Sequence, residues 1–199
     1  MKRKLLPAAL LALLPLSSPA LAAKTEVATF AGGCFWCIQP AFDHVQGVLR
    51  TTVGYTGGRT KNPTYEQVST GKTGHAESIE VVFNPAVVSY SKLLDVFWTS
   101  VDPTQTNGQF VDEGSQYRTV IFYHDAAQKS EALASKARLE REKLFGRPIV
   151  TQIAPASRFY PAEKYHQKYY LKHRASYDFY HDHSGREEFF KRTWGKARR

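Results

Sequence analysis

Apolar and polar positions change rhythm several times along this chain, and each change predicts an element. Ile79, Val81 and Phe83 alternate with Ser78, Glu80 and Val82, the period-two pattern of a strand with one buried and one wet face. Glu26–Ala31 and Val48–Tyr55 are rich in β-branched and aromatic residues and predict two further strands, closed by Gly32-Gly33 and Gly57-Gly58. Arg118–His124 and Ile149–Ala154 predict two more. Helical spacing runs from Ser91 to Val101, where Leu93, Leu94, Phe97 and Trp98 share a face behind a cap at Ser89 or Ser91. A second amphipathic helix spans Ala126 to Phe145 and is closed by Gly146 and Pro148. Cys34 to about His44 reads as a helix too, with a kink expected at Pro40. Short helices are expected at Asn62–Val68 and Glu163–His173, a polar loop at Asp102–Gln116, and an irregular stretch from Arg174 to Arg199.

Strands and helices alternate, but the wet face of the Glu77–Phe83 strand argues against a sheet covered on both sides. The pattern therefore predicts an α+β two-layer sandwich, a mixed sheet flanked by helices, rather than a doubly wound fold. The chain has 199 residues, which suits a single domain. Its first residues stand apart. Lys2-Arg3-Lys4, the apolar run Leu5–Leu16 and Ala20-Leu21-Ala22 form a secretory signal, which predicts cleavage after Ala22 and one domain over 23–199. The apolar run is too short, and too broken by Pro7 and Pro15, for a stable membrane span. Export to the periplasm is expected, or secretion from a cell without an outer membrane.

The formal net charge of +9 falls to +6 once Lys2, Arg3 and Lys4 leave. Part of the excess lies in Lys191-Arg192 and Lys196–Arg199, a basic tail. No nucleic-acid-binding motif accompanies it, so it reads as a solvated end. Nothing calls for more than a monomer.

Cys34 and Cys37 are the only cysteines. A pair this close staples too few residues to stabilise the fold much. At the start of a helix, free N–H groups and the helix dipole favour a thiolate, the reactive form of cysteine. Three residues on, Cys37 falls on the same face, within disulfide reach. Gly32 and Gly33 allow the sharp turn and leave room for a substrate. The C-x-x-C pair alone leaves several readings open: a general thiol–disulfide oxidoreductase, an inert pair, or a zinc site with His166, His173, His181 or His183, although no second paired motif is present.

Further blocks narrow the choice. Gly32-Gly33-Cys34-Phe35-Trp36, Gly54-Tyr55-Thr56-Gly57-Gly58, Asn62-Pro63-Thr64-Tyr65, Thr73-Gly74-His75-Ala76-Glu77, Gly114-Ser115-Gln116-Tyr117-Arg118, and Phe159-Tyr160-Pro161-Ala162-Glu163 with His166-Gln167 occur in this order. Together they resemble the A-type peptide methionine sulfoxide reductases from about Thr29 to Tyr170. The resemblance implies a roll around a ferredoxin-like core and reduction of the S epimer of methionine sulfoxide, free or in oxidised proteins. It implies Cys34 as nucleophile, Glu77 as proton donor, Tyr65 and Tyr117 as hydroxyls on the sulfoxide oxygen, and Asp112 as an organising acid. Phe35 and Trp36 would wall the S-methyl group. No bound cofactor is implied, only an external thiol: a thioredoxin-like protein, or dithiothreitol in vitro. Glu77 beside apolar walls is expected to stay protonated near neutral pH.

Two departures matter. Family members often carry resolving cysteines in a Gly-rich tail, where this chain has His183-Ser184-Gly185-Arg186. Resolution then falls to Cys37 or to an external thiol. Gln39 also stands where an acidic residue is common.

Overall fold

The computed structural model describes residues 24–195; the expected signal segment lies outside them. Six strands form one sheet: β1 (Glu26–Gly32), β2 (Val48–Thr56), β3 (Ala76–Phe83), β6 (Thr119–Tyr123), β7 (Gln152–Pro155) and β8 (Tyr160–Pro161). Their order is β7-β6-β1-β3-β2-β8. Only β6 and β7 pair in parallel, so the sheet is mixed.

Strand alternation sorts the side chains into two faces. Ala28, Phe30, Val53, Tyr55, Ile79, Val81, Phe83 and Ile121 pack into one core with three helices, α1 (Phe35–Asp43), α3 (Tyr90–Trp98) and α4 (Ala126–Glu142). Phe30 lies at its centre, its ring stacked 5.1 Å from Phe42 and 5.3 Å from Phe97. These are the two layers of an α+β sandwich, as the periodicity predicts. The opposite face is drier than expected. Ser78, Thr29 and Thr56 are buried, Glu80 and Val82 half-buried, and Ala154 and Ala156 pack against Ala31, Ala76, Val120 and Phe122. Small side chains let the segment after β7 settle onto a face that alternation alone marks as wet.

Three other expectations need correcting. The polar loop at Asp102–Gln116 holds a small hairpin, β4 (Gly108–Gln109) with β5 (Asp112–Glu113), followed by a 3₁₀ turn at Ser115–Tyr117. Buried Gln109 ties the hairpin down: it accepts the Asp102 N–H at 2.9 Å and donates to the Asp102 carbonyl at 2.7 Å. The helix expected at Glu163–His173 shrinks to α5 (Tyr169–Lys172), because Lys168 adopts a left-handed backbone and His166 and Gln167 bond elsewhere. The stretch from Arg174 is not irregular over its described part, and residues 196–199 lie outside the described residues. It forms α6 (Arg174–Asp182) and α7 (Arg186–Trp194), separated by Gly185 at φ +77°. Their residues have middling helix propensity, so the packing of Tyr180, Arg186 and Trp194 decides the outcome.

Candidate active site

β1 runs into α1 through Gly32 and Gly33. Gly33 has φ +81°, and a Cβ on it would lie 2.5 Å from the Gln109 Cβ, so glycine is required at this turn. Cys34 then caps α1: its carbonyl accepts the Cys37 and Ile38 N–H groups at 3.0 and 3.3 Å. Its side chain makes no capping bond, which leaves the sulfur free. The N–H of Phe35 donates instead to Glu77 Oε2 at 3.1 Å. Glu77 continues the Ile79–Val81–Phe83 face of β3, and that alternation carries it beneath the start of α1. One carboxyl thus ties strand to helix beside the thiol. The helix continues through Pro40 without a break.

Cys34, Phe35, Trp36, Tyr65, Glu77, Asp112 and Tyr117 line a single cavity of about 130 Å³. Tyr65 comes from a short helix, α2 (Tyr65–Ser69), whose Thr64 cap and Gln67 form a reciprocal capping box. The Tyr65 N–H is anchored on Glu163 Oε1 at 2.9 Å, and Glu163 also accepts the Tyr55 hydroxyl at 2.8 Å. Tyr117 ends the 3₁₀ turn. The apolar walls are braced: the Trp36 indole N–H donates to His166 Nδ1 at 3.0 Å, and its ring stacks on Tyr169 at 3.8 Å. His166 is fully buried, and burial lowers it to about 4, so it is a neutral acceptor.

Cys37 lies beside Cys34 but outside the cavity that the other predicted residues line. It opens on a second cleft of about 370 Å³, between α1, α3 and the last two helices, with Val96, Ser100, Tyr177 and Arg186 among its walls. A larger space of about 650 Å³ near Arg147 and Arg192 contains none of the predicted residues.

Burial dominates the electrostatics. Glu77 is 3% exposed, and desolvation, with the neighbouring Cys34 and Asp112, pushes its carboxyl well above the usual range, against the opposing Phe35 N–H. Burial and the two neighbours both favour its protonated form. Tyr65 and Tyr117 are pushed up by desolvation and then by Glu77, so both hydroxyls remain donors. The thiolate expected at Cys34 is not its resting form. Cys34 is 6% exposed, and burial first, then Cys37 and Asp112, raise its thiol well above the ordinary value; Arg186 acts in the opposite direction. A helix terminus stabilises an anion by about 1 kcal/mol, less than the cost of burying one.

Two contributors come from the tail and escaped the sequence reading. Tyr180 lines the cavity and donates its hydroxyl to Asp112 Oδ1. Arg186 donates to Asp112 Oδ2 at 3.0 Å. Asp112 is therefore held from two helices. The i, i+3, i+4 spacing of Tyr177, Tyr180 and His181 is the signal for α6. It is weak because the aromatic residues alternate with charged ones.

The sequence matches the family described as peptide methionine sulfoxide reductase over residues 26–198. A peptide methionine sulfoxide reductase MsrA from Bacillus licheniformis is 49% identical over 176 residues, covering 88% of this chain and 97% of that protein. Among solved structures, reduced Mxr1 from Saccharomyces cerevisiae superposes with a TM-score of 0.71 at 32% identity, over 81% of this chain and 92% of that one. Mxr1 in complex with Trx2 gives 0.53 at 26% identity, over 77% and 91%. With fold, motifs and relatives agreeing along nearly the whole described chain, this protein belongs to the peptide methionine sulfoxide reductase family and reduces methionine sulfoxide in peptides to methionine.

Proposed function

We propose that Cys34 attacks the sulfur of methionine-S-sulfoxide while Glu77 gives its proton to the departing oxygen. The observation that carries this reading is the one cavity holding a thiol, a buried carboxyl and two tyrosine hydroxyls against a Phe35–Trp36 wall. A sulfoxide oxygen leaves poorly unless protonated, and general acid catalysis contributes about 10²–10⁴-fold. Tyr65 and Tyr117 hold that oxygen as charge develops on it. Asp112, fixed by Tyr180 and Arg186, sets the cavity's far wall. The protonated oxygen passes to the Cys34 sulfur as the new Cys34–methionine sulfur bond breaks, its electron pair returning to the methionine sulfur; the sulfoxide is thereby reduced to the sulfide and Cys34 oxidised to a sulfenic acid. Cys37 then attacks Cys34, expelling the oxygen as water and forming a disulfide. A dithiol reductant returns both thiols by exchange. A thioredoxin-like protein suits this last step, as the complex of the yeast relative with Trx2 suggests.

The assay is reduction of the separate S and R epimers of N-acetylmethionine sulfoxide with dithiothreitol. The S epimer alone should yield N-acetylmethionine. Tyr65→Phe and Tyr117→Phe should each lower kcat about tenfold, since one hydroxyl remains, and the double variant about 10²–10³-fold. Equal turnover of both epimers would overturn the choice of the S epimer, and full activity in the double variant would remove the two hydroxyls from the mechanism.

Export is part of the same reading, supported by the basic, apolar and small-residue segments that precede Ala23. Expressed in a Gram-negative host, the full chain should accumulate in the periplasm with Ala23 as its first residue. A cytoplasmic product that keeps Met1 would overturn this.

A further inference from the structure

The tail also brings a cation to the site that the chemistry above leaves unused. Arg186 is 2% exposed. Its Nη2 donates to Asp112 Oδ2 at 3.0 Å and lies 3.5 Å from where a Cβ on Gly33 would sit, which sets the guanidinium against the residue preceding Cys34. The guanidinium carbon is 4.7 Å from the Phe110 ring centre and 5.9 Å from that of Tyr180. Nη1 is buried with no hydrogen-bond partner among the described residues. On its other side the guanidinium lines the cleft onto which Cys37 opens. A buried guanidinium with one carboxylate partner and an unused N–H group is costly to hold as pure structure.

We propose that Arg186 is a positioning residue for the thiol chemistry: it supplies the positive charge against which the buried Cys34 ionises, and its free Nη1 group donates to the sulfur anion formed in the Cys34–Cys37 pair.

The groups facing Cys34 explain why a cation is needed there. Cys37 comes from α1, Glu77 from β3 and Asp112 from β5. Tyr65 comes from α2, Tyr117 from the 3₁₀ turn, and Tyr177 and Tyr180 from α6. Each is neutral or negative, so none of them favours a thiolate. Arg186 does, and fixed by Asp112 and two aromatic rings it needs no rearrangement when the anion forms. The same cation would steady the sulfur that leaves when the disulfide is reduced. The proposal rests on the reading of Cys34 as the attacking sulfur.

Cys37→Ser leaves Cys34 as the sole thiol, so alkylation by iodoacetamide reports on it alone. In that background Arg186→Met should slow alkylation at pH 7 about tenfold, with the rate-versus-pH midpoint displaced upward by about one pH unit. Arg186→Lys should recover most of the rate, because it keeps the charge. Arg186→Gln should behave like Arg186→Met while retaining N–H donors for Asp112, which preserves the packing. A midpoint unmoved in the uncharged variants overturns the proposal, as does recovery by Gln equal to that by Lys. Failure of the underlying reading shows elsewhere: Cys34→Ser would still reduce the sulfoxide.

Discussion

Cys37→Ser should stop after a single turnover when electrons come from a protein dithiol, and Cys34→Ser should form no methionine at all. The contrast follows from where the two sulfurs open. Cys34 faces a cavity of about 130 Å³ walled by Phe35, Trp36, Tyr65 and Tyr117, room for the methylsulfinyl end of a side chain. The active-site thiol of another protein comes with its own backbone and does not fit. Cys37 is half-buried, on a cleft of about 370 Å³ reached from another side. A Cys34–Cys37 disulfide would therefore carry the oxidation from a sulfur the reductant does not reach to one it does. Well-oriented internal groups act at effective concentrations of about 10⁵–10⁸ M, far above any external thiol. Without Cys37, steady-state turnover with a thioredoxin-like protein should fall at least about a hundredfold, while dithiothreitol, small enough to enter, should retain a larger share. After one equivalent of substrate, wild type should lose about 2 Da, as a disulfide, and Cys37→Ser should gain about 16 Da, as a sulfenic acid that dimedone traps. Cys37→Ser turning over at the wild-type rate with the protein dithiol would show that no internal resolution is needed.

Parts of this arrangement are legible before any coordinates, and the reasons differ by residue. Glu77 can be placed from alternation alone, since a residue two before Ile79 on a half-buried strand must face the core. A carboxyl there is either satisfied or used, and the Phe35 N–H shows that it is satisfied. The turn at Gly33 and the cap at Cys34 are local and equally readable. The tail is different. Tyr180 and Arg186 lie 68 and 74 positions from Asp112, the residue they hold, and no local pattern encodes that pairing. The resting state of Cys34 escapes for a related reason. Helix-terminus arguments are local, whereas burial is set by α2, the 3₁₀ turn and α6 closing over the sulfur, and burial is the larger effect. Gln39 shows how a departure from a family pattern is absorbed. It is fully buried, donates to Thr51 Oγ1 at 3.0 Å and accepts the Lys168 N–H at 2.9 Å, so a neutral amide links α1 to β2 and to the chain before α5.

Glu77→Gln should lower kcat by about 10²–10⁴-fold with KM little changed. The amide keeps an oxygen to accept the Phe35 N–H, so the start of α1 stays capped and the loss reports the missing proton rather than a lost fold. The pH dependence is the sharper test. In wild type, activity should fall at alkaline pH as the carboxyl ionises; in Glu77→Gln that falling limb should vanish from the residual rate. Stability should respond with a definite sign. Burial raises the folded-state carboxyl above its ordinary value of 4.5. Above that pH the unfolded chain has lost a proton that the folded chain retains, so wild type loses stability as pH rises toward the raised value. Glutamine has no proton to lose. Cys34 is raised as well, but its ordinary value is 9.0, so its contribution begins higher and is common to both proteins. Each pH unit in the window changes stability by up to about 1.4 kcal/mol, and each kcal/mol moves Tm by about 2–4 °C in a domain of this size. Melting curves at pH 5 and pH 8 should therefore show Glu77→Gln gaining on wild type as pH rises. A gap that stays constant would mean the carboxyl is already ionised in the folded protein, and the proton for the sulfoxide oxygen would have to come from elsewhere.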